Sequence, residues 1–94
     1  MNIVRTFGLA QRKELQVIGI PKGAKILSVC VRQEQIKVAI QVDPNEFLHD
    51  SSQKIEFAIF SEERAFKIDD YNFLGTIVLN FGNDIYHVFY RNVV

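Results

Sequence analysis

Histidine is the side chain best suited to proton transfer near neutral pH, and His87 has the most suggestive neighbours in this sequence. Asp84, Tyr86 and Tyr90 lie within three residues of it. A carboxylate and phenols beside an imidazole are parts from which a general acid–base site can be built. A histidine flanked by apolar residues on a strand face is more often packed and bonded to a carbonyl. We therefore favour a structural role for His87.

Other reactive side chains lack the partners that catalysis or metal binding requires. Cys30 is the single cysteine and stands in an apolar run, so we expect a small core residue in a reducing compartment. The acid pairs Glu62-Glu63 and Asp69-Asp70 stand beside basic residues and indicate a solvated loop. His49 is the second histidine, and no metal-ligand spacing, phosphate loop or dinucleotide fingerprint is present. We predict no catalytic residues, no metal site and no cofactor.

Arginines and aromatic rings are the residues from which we predict binding. An arginine grips phosphates through paired hydrogen bonds, and a ring stacks on a base or fills a pocket of an interface. The candidate ligand-binding residues are Arg5, Arg32, Arg64, Tyr71, Tyr86 and Tyr90. Each arginine alone is better explained as a solvated surface charge. The prediction depends on their number beside eight Phe and three Tyr.

Charge and composition restrict the class of protein. Eleven basic and eleven acidic residues give a net charge of zero, which argues against a nucleic-acid partner. Residues 1–41 hold seven Lys or Arg against two Asp or Glu, whereas residues 42–94 hold four against nine. This asymmetry could create a basic face or a head-to-tail contact between copies. We favour the alternative that strands from both halves interleave, so that their charges cancel.

Seven segments have the apolar content or the alternation of β-strands. They are residues 2–7, 14–20, 25–33, 36–42, 54–60, 73–80 and 85–90. The cleanest alternation is at 36–42, and Pro44 ends that strand before a polar loop at 45–53. Apolar residues on both faces of 26–31 predict a central strand. No segment has the period of a long amphipathic helix.

Turn residues punctuate these strands. Pro21 suits the second position of a type I turn, and Gly23 supplies a positive φ. Gly82-Asn83 at the centre of 81–84 predicts a hairpin turn. Gly75 indicates a bulge or a close backbone approach. The segment 61–72 predicts a long hairpin loop with Phe66 or Ile68 turned inward.

The fold class that follows is all-β, as one domain over residues 1–94. We expect about seven mostly antiparallel strands in a small sandwich or a partly open barrel. The expected core includes Leu27, Val29, Val38, Ile40, Phe57, Ile77 and Phe89. No apolar run reaches the length of a signal peptide or a membrane span, so we expect a soluble protein without a membrane partner.

Four short strings give the chain a resemblance to a known family. They are PKGAKILSV at 21–29, VDP at 42–44, LGT at 74–76 and HVF at 87–89. With them, the chain resembles a family of short bacteriophage proteins whose function is uncharacterised. Members often carry a second glycine-rich segment before LGT, where this chain reads SEERAFKIDDYNF without glycine. The family has no established catalytic residues, so none is transferred.

The resemblance implies an accessory protein that acts on the host, in its cytoplasm, in host takeover or anti-defence. One expected role is sequestration of a small anionic signal, such as a nucleotide-derived defence messenger, in a pocket between protomers. The alternative is a protein–protein inhibitor that covers a host protein by strand addition or through an aromatic patch. An enzyme that degrades such a signal is third. We favour the small ligand, because short loops offer little surface to a protein partner.

Self-association, as a homodimer or a larger oligomer, is also expected. A domain of 94 residues buries only about 60–65% of the surface that its unfolded chain exposes, so a partner copy would add stability. Exposed strand edges at the termini need covering. Residues 91–94 would also be unpaired, and they end in two valines.

Overall fold

The structure is a computed structural model that describes residues 1–47, 53–67 and 69–93, and its strands form two layers. In chain order the elements are β1 (Ile3–Leu9), β2 (Leu15–Ile20), β3 (Lys25–Arg32), β4 (Gln35–Val42), α1 (Pro44–Phe47), β5 (Gln53–Ser61), β6 (Asn72–Leu79) and β7 (Asp84–Val93). Sheet A has the order β1-β4-β3, and sheet B has the order β2-β5-β7-β6. Every pairing is antiparallel. The predicted all-β class is confirmed, as a partly open sandwich.

The core lies between the sheets, where alternate residues of the central strands meet. On β4 these residues are Ile36, Val38, Ile40 and Val42, and on β5 they are Ile55, Phe57 and Ile59. The alternation predicted for β4 is confirmed, because every second residue of this strand is buried. β4 is also the middle strand of sheet A. Of the other predicted core residues, Ile77 is buried and Val29 packs against the core while partly exposed.

The strand predicted at 25–33 is present as β3, but its predicted central place and the burial of Leu27 and Cys30 were wrong. It is an edge strand of sheet A rather than a central strand. A bulge between Ile26 and Ser28 leaves Leu27 outside the core, with 44% of its surface exposed. Cys30, which we expected in the core, is an exposed free thiol. The bulge shifts the alternation by one residue, so apolar residues on both faces did not mean that both faces are buried.

The turns follow the predicted chemistry, with shifted positions. Ala24 donates its backbone N–H to the carbonyl of Pro21 at 3.1 Å, so Pro21 is the first residue of the turn rather than the second. Gly23 is then the third residue, and its φ of +83° confirms the predicted positive value. In the β6–β7 hairpin, the backbone N–H of Asn83 donates to the backbone carbonyl of Asn80 at 3.1 Å. The turn is therefore 80–83, one residue earlier than the predicted 81–84.

A one-turn helix begins where the sequence predicted a loop. Asp43 accepts a hydrogen bond on Oδ1 from the backbone N–H of Asn45 at 2.9 Å, and Pro44 takes the first helical position. The rest of that predicted loop, with His49, lies outside the described residues, as does Ile68. Among the residues that the structure does describe, no helix has the length and apolar character that a membrane crossing requires.

The C-terminal segment is paired, which corrects the sequence prediction. β7 continues to Val93, with Arg91 opposite Glu56 and Val93 opposite Lys54 on β5. Val94 lies outside the described residues. An unpaired apolar C-terminus across 91–93 therefore gives no argument for self-association.

The charge asymmetry of the sequence becomes an asymmetry between the sheets. Sheet A is built from residues 3–42, and its strands carry Arg5, Lys25, Arg32 and Lys37. These three strands contain no Asp or Glu. Only β2 joins the later strands in sheet B. The interleaving that we favoured therefore does not cancel the positive charge of sheet A.

The two sheets approach each other closely at Gly75 on β6. A Cβ atom there would lie 2.7 Å from Cγ1 of Val29 on β3, which is shorter than van der Waals contact allows. The pairing of β6 with β7 also shifts between Phe73 and Gly75, as in a β-bulge. Both predicted meanings of this glycine, a bulge and a close approach, are confirmed.

Candidate functional site

The outer face of sheet B carries apolar side chains where a two-layer sandwich normally has polar ones. Phe57 and its neighbours at alternate positions of β5 point into the core, so Ala58 and Phe60 point outward. The register places Phe89 opposite Ala58, and Phe73 opposite Phe89. We call the following set the aromatic face: Leu15, Val17, Ala58, Phe60, Phe66, Phe73, Val78 and Phe89.

Four phenylalanine rings form the centre of this face. Phe66, in the connection between β5 and β6, stacks on Phe60 with ring centroids 3.9 Å apart and planes 10° apart. Phe66 also lies 5.3 Å from Phe89, and Phe73 meets Phe89 edge-on at 5.3 Å. Phe89, predicted for the core, belongs to this outer cluster instead. Phe66 turns onto the sheet, though on its outer side.

Much of the aromatic face remains open to solvent. The exposed fractions are 58% for Phe73, 51% for Val17, 50% for Leu15, 48% for Val78 and 38% for Phe66. Single exposed apolar residues are normal on protein surfaces. Several exposed apolar residues on one sheet face are typical of an interaction site.

His87 lies at the border of the aromatic face and is bonded to two side chains. Its Nδ1 lies 2.9 Å from Oγ1 of Thr76, and its Nε2 lies 3.0 Å from Oε1 of Glu62. We expected a packed His87 to be bonded to a backbone carbonyl. Both of these contacts are instead to side chains. Tyr86 and Tyr90 point from the opposite face of β7 and pack against the core, so they do not flank the imidazole.

A second polar cluster lies where the β5–β6 connection leads into β6. Glu56 accepts hydrogen bonds on Oε1 from Nε of Arg91, at 2.8 Å, and from the hydroxyl of Tyr71. The Arg91 guanidinium lies 4.5 Å from the centre of the Tyr71 ring, in a cation–π contact. Burial, followed by the hydrogen bond to Glu56 and its charge, raises the pKa of Tyr71 to about 12, against the opposing charge of Arg91.

Alkaline titration should detect this contact. Because the pKa of Tyr71 is raised from 10.0 to about 12, the neutral phenol favours the folded protein. Its stabilising contribution is fully present below pH 10.0 and is lost as the pH rises to about 12. Tyrosinate absorbance should show one late-ionising tyrosine that Tyr71→Phe removes. If that variant leaves the latest step of the titration unchanged, the assignment to Tyr71 is wrong.

Glu14 and Arg64 fix the middle of the connection to the start of β2. Nε and Nη2 of Arg64 donate to the two carboxylate oxygens of Glu14, at 2.9 and 3.2 Å. The hydrogen bond from Arg64 lowers the pKa of Glu14 below its ordinary value. Both side chains are exposed, so the pair orients the connection more than it stabilises the fold. Arg64 is thus already engaged by a carboxylate of its own chain.

The six predicted ligand-binding residues lie in three places. Arg5 and Arg32 are on sheet A, Arg64 and Tyr71 are in the connection over sheet B, and Tyr86 and Tyr90 pack against the core. One chain therefore brings together only Arg64 and Tyr71, which line a common depression.

That depression, which we call the Phe60–Phe66 pocket, has a volume of about 270 Å³. Its lining is Glu14, Leu15, Phe60, Arg64, Ala65, Phe66, Lys67 and Tyr71. A second depression of about 420 Å³ lies beside Arg91. Glu56 and Asp70 also line it, so its carboxylates outnumber its cation and disfavour an anionic ligand. In the described parts of the chain, no group of three or more His, Cys, Asp or Glu could hold a metal ion.

Comparison with known proteins supplies a family without a described activity. No curated protein and no solved structure matches the chain. Residues 1–94 match the model of a family described as a domain of unknown function. Since that match extends over the full sequence, the chain belongs to the domain-of-unknown-function family DUF7352.

Proposed function

We propose that this domain is a non-catalytic binding protein that docks a folded protein partner on the aromatic face. The observation that carries the proposal is the exposure of Phe73, Val17, Leu15 and Val78 around one aromatic cluster. Aromatic residues dominate the binding energy of protein interfaces, and they act best in a patch that excludes water. The outer face of sheet B has this composition.

The border of the face suits the same role. The carboxylates Glu14, Glu56 and Glu62 are each hydrogen-bonded to a basic side chain of the same chain, Arg64, Arg91 and His87 respectively. A partner that covers the face would therefore meet three carboxylates that each already have a hydrogen-bond donor, which lowers the cost of removing them from water. An apolar centre with a polar border is the usual anatomy of a protein–protein interface.

The same contacts favour a protein over a small anionic signal. Glu14 already occupies Arg64, and Arg91 shares its depression with two carboxylates. Tyr86 and Tyr90 pack against the core and offer no free ring for a nucleotide base. The sequence led us to prefer a small ligand because the loops are short. A sheet face gives a protein partner the surface that those loops do not.

The biological setting of the proposal comes from the resemblance to short bacteriophage proteins. On that basis the domain would act in the host cytoplasm as an accessory protein, and covering a host protein would inhibit it. The resemblance supports the role in the host, and the aromatic face supports binding of a protein.

Replacing Phe73 should remove most of the affinity for such a partner. Loss of an interface hot spot of at least about 2 kcal/mol weakens binding by roughly 30-fold. We expect this from Phe73→Lys, since more than half of Phe73 is exposed and the fold loses little without it. The measurement is capture from a host-cell lysate, quantified by mass spectrometry, followed by calorimetry with the purified partner.

Val4→Lys is the matched control. Val4 is 61% exposed and lies opposite Gln41 on the outer face of sheet A, so the substitution adds the same charge elsewhere. A partner that binds both variants equally would exclude the aromatic face. A nucleotide that raises the melting temperature of the wild type but not of Arg64→Glu would instead favour sequestration of a small anion.

A further inference from the structure

The tip of the β6–β7 hairpin presents an aromatic ring to solvent in a backbone conformation that such residues avoid. Phe81 is 93% exposed and has a φ of +54°, between Asn80 at +52° and Gly82 at +89°. Asn and Gly tolerate positive φ, whereas a bulky residue rarely adopts it. Phe81 therefore strains the turn and covers almost nothing in its own chain. A strained, exposed aromatic residue suggests a contact outside the chain.

Two carboxylates belong to the hairpin tip or are bonded to its backbone. Glu34 accepts a hydrogen bond on Oε2 from the backbone N–H of Asn80 at 3.0 Å, which joins the β3–β4 turn to the hairpin tip. Asp84 begins β7 three residues after Phe81. A phosphate backbone or an anionic lipid surface would be repelled by these groups. The tip instead suits an apolar pocket bordered by cations.

The Phe60–Phe66 pocket has those properties. Phe60, Phe66 and Leu15 give it an apolar lining, and its volume of about 270 Å³ exceeds that of one benzyl group. Arg64 and Lys67 line it against one carboxylate, Glu14, which is bonded to Arg64. Lys67 is 89% exposed and lies 3.7 Å from Asp69. The tip thus carries a ring and two carboxylates, and the pocket offers an aromatic lining in which two cations stand against one carboxylate.

We propose that Phe81 of one copy inserts into the Phe60–Phe66 pocket of a second copy, and that two such insertions close a homodimer. Each copy supplies one ring and one pocket, as a two-fold interface requires. Glu34 and Asp84 of one copy then lie near Lys67 of the other, which orients the contact, while Arg64 keeps its bond to Glu14. A net charge of zero leaves no long-range repulsion between copies.

The pocket shares Leu15, Phe60 and Phe66 with the aromatic face, so a second copy would cover part of the surface that we propose for the partner. Phe73 on β6 and Phe81 at the hairpin tip do not line the pocket, so Phe73→Lys tests partner binding and Phe81→Asn tests the dimer. Loss of dimerisation and loss of partner binding are therefore distinguishable results.

Sedimentation equilibrium of the full chain, up to high micromolar concentration, tests the contact. The wild type should dimerise, and Phe81→Asn should weaken the dimer by at least about 30-fold. Because Asn suits positive φ, that variant should melt no lower than the wild-type monomer. Leu15→Lys in the pocket should weaken the dimer similarly, and Val4→Lys should not. A monomeric wild type, or a dimer unaffected by the first two variants, overturns the proposal.

Cross-linking locates the ring in the dimer. A photoreactive phenylalanine analogue at position 81 keeps an aromatic side chain, and mixing isotopically light and heavy protein separates contacts between copies from contacts within one. We expect light-to-heavy cross-links to peptides that contain Leu15 or residues 60–67. Cross-links confined to one copy, or between copies only at other peptides, overturn the assignment of the pocket.

Discussion

Phe57→Ala is expected to lower the free energy of unfolding by about 3–5 kcal/mol. Phe57 has no exposed surface and lies between the sheets, where its ring meets Phe7 of β1 edge-on at 5.8 Å. Removing it deletes buried area and leaves a cavity that two rigid sheets cannot close. A domain of this size has a total stability of roughly 5–15 kcal/mol, so the variant should be close to unfolding.

Urea denaturation of wild type and variant measures the difference. Phe73→Ala is the matched control, since it makes the same truncation on the outer face at a site that is 58% exposed. We expect Phe73→Ala to lower the free energy of unfolding by less than about 1 kcal/mol. Loss of the edge contact between Phe73 and Phe89 is a separate contribution. Equal losses for the two variants would contradict the placement of the core between the sheets.

Phe60→Ala should have the second-largest effect, about 3 kcal/mol, although Phe60 points away from that core. Only 6% of its surface is exposed, because Phe66 stacks on its ring and Phe89 lies 6.2 Å away. The substitution should also loosen the connection, so that amides of residues 62–67 exchange with solvent faster. Hydrogen exchange monitored by mass spectrometry would follow this.

A double-mutant cycle separates the stacked pair from simple burial. Phe66→Ala alone should cost less than Phe60→Ala, because 38% of Phe66 is already exposed. A coupling of about 0.5–1.5 kcal/mol between the two substitutions is expected for a ring pair. Strictly additive losses would mean that the connection is held by its ion pairs rather than by the rings.

Local patterns predicted the strands and the turns well. The alternation at 36–42 corresponds to β4, and the glycines at 23 and 82 take the positive φ that their turns need. β3 shows the limit of this reasoning. The bulge at Leu27 places Ser28 and Cys30 on the solvent side, and the sequence alone gives no sign of that extra residue.

The aromatic face was only partly visible in the sequence. Ala58, Ile59 and Phe60 are consecutive apolar residues, a pattern that indicates a strand covered on both faces. What covers the second face depends on the strand order of sheet B, which no local pattern specifies. The ion pair of Arg64 with Glu14 joins residues 50 positions apart, so Arg64 was predicted as a ligand contact or as a solvated surface charge. The ion pair of Arg91 with Glu56 joins residues 35 positions apart and leaves no local pattern in the sequence.

The central claim is that the aromatic face is a protein-binding surface, and cross-linking inside host cells tests it most directly. A photoreactive phenylalanine analogue at position 73 would be compared with the same analogue at position 4, on the outer face of sheet A. We predict that position 73 yields a cross-link to one host protein, and that unlabelled wild-type protein suppresses it while Phe73→Lys does not. Equal cross-linking from both positions, or none from position 73, would contradict the claim.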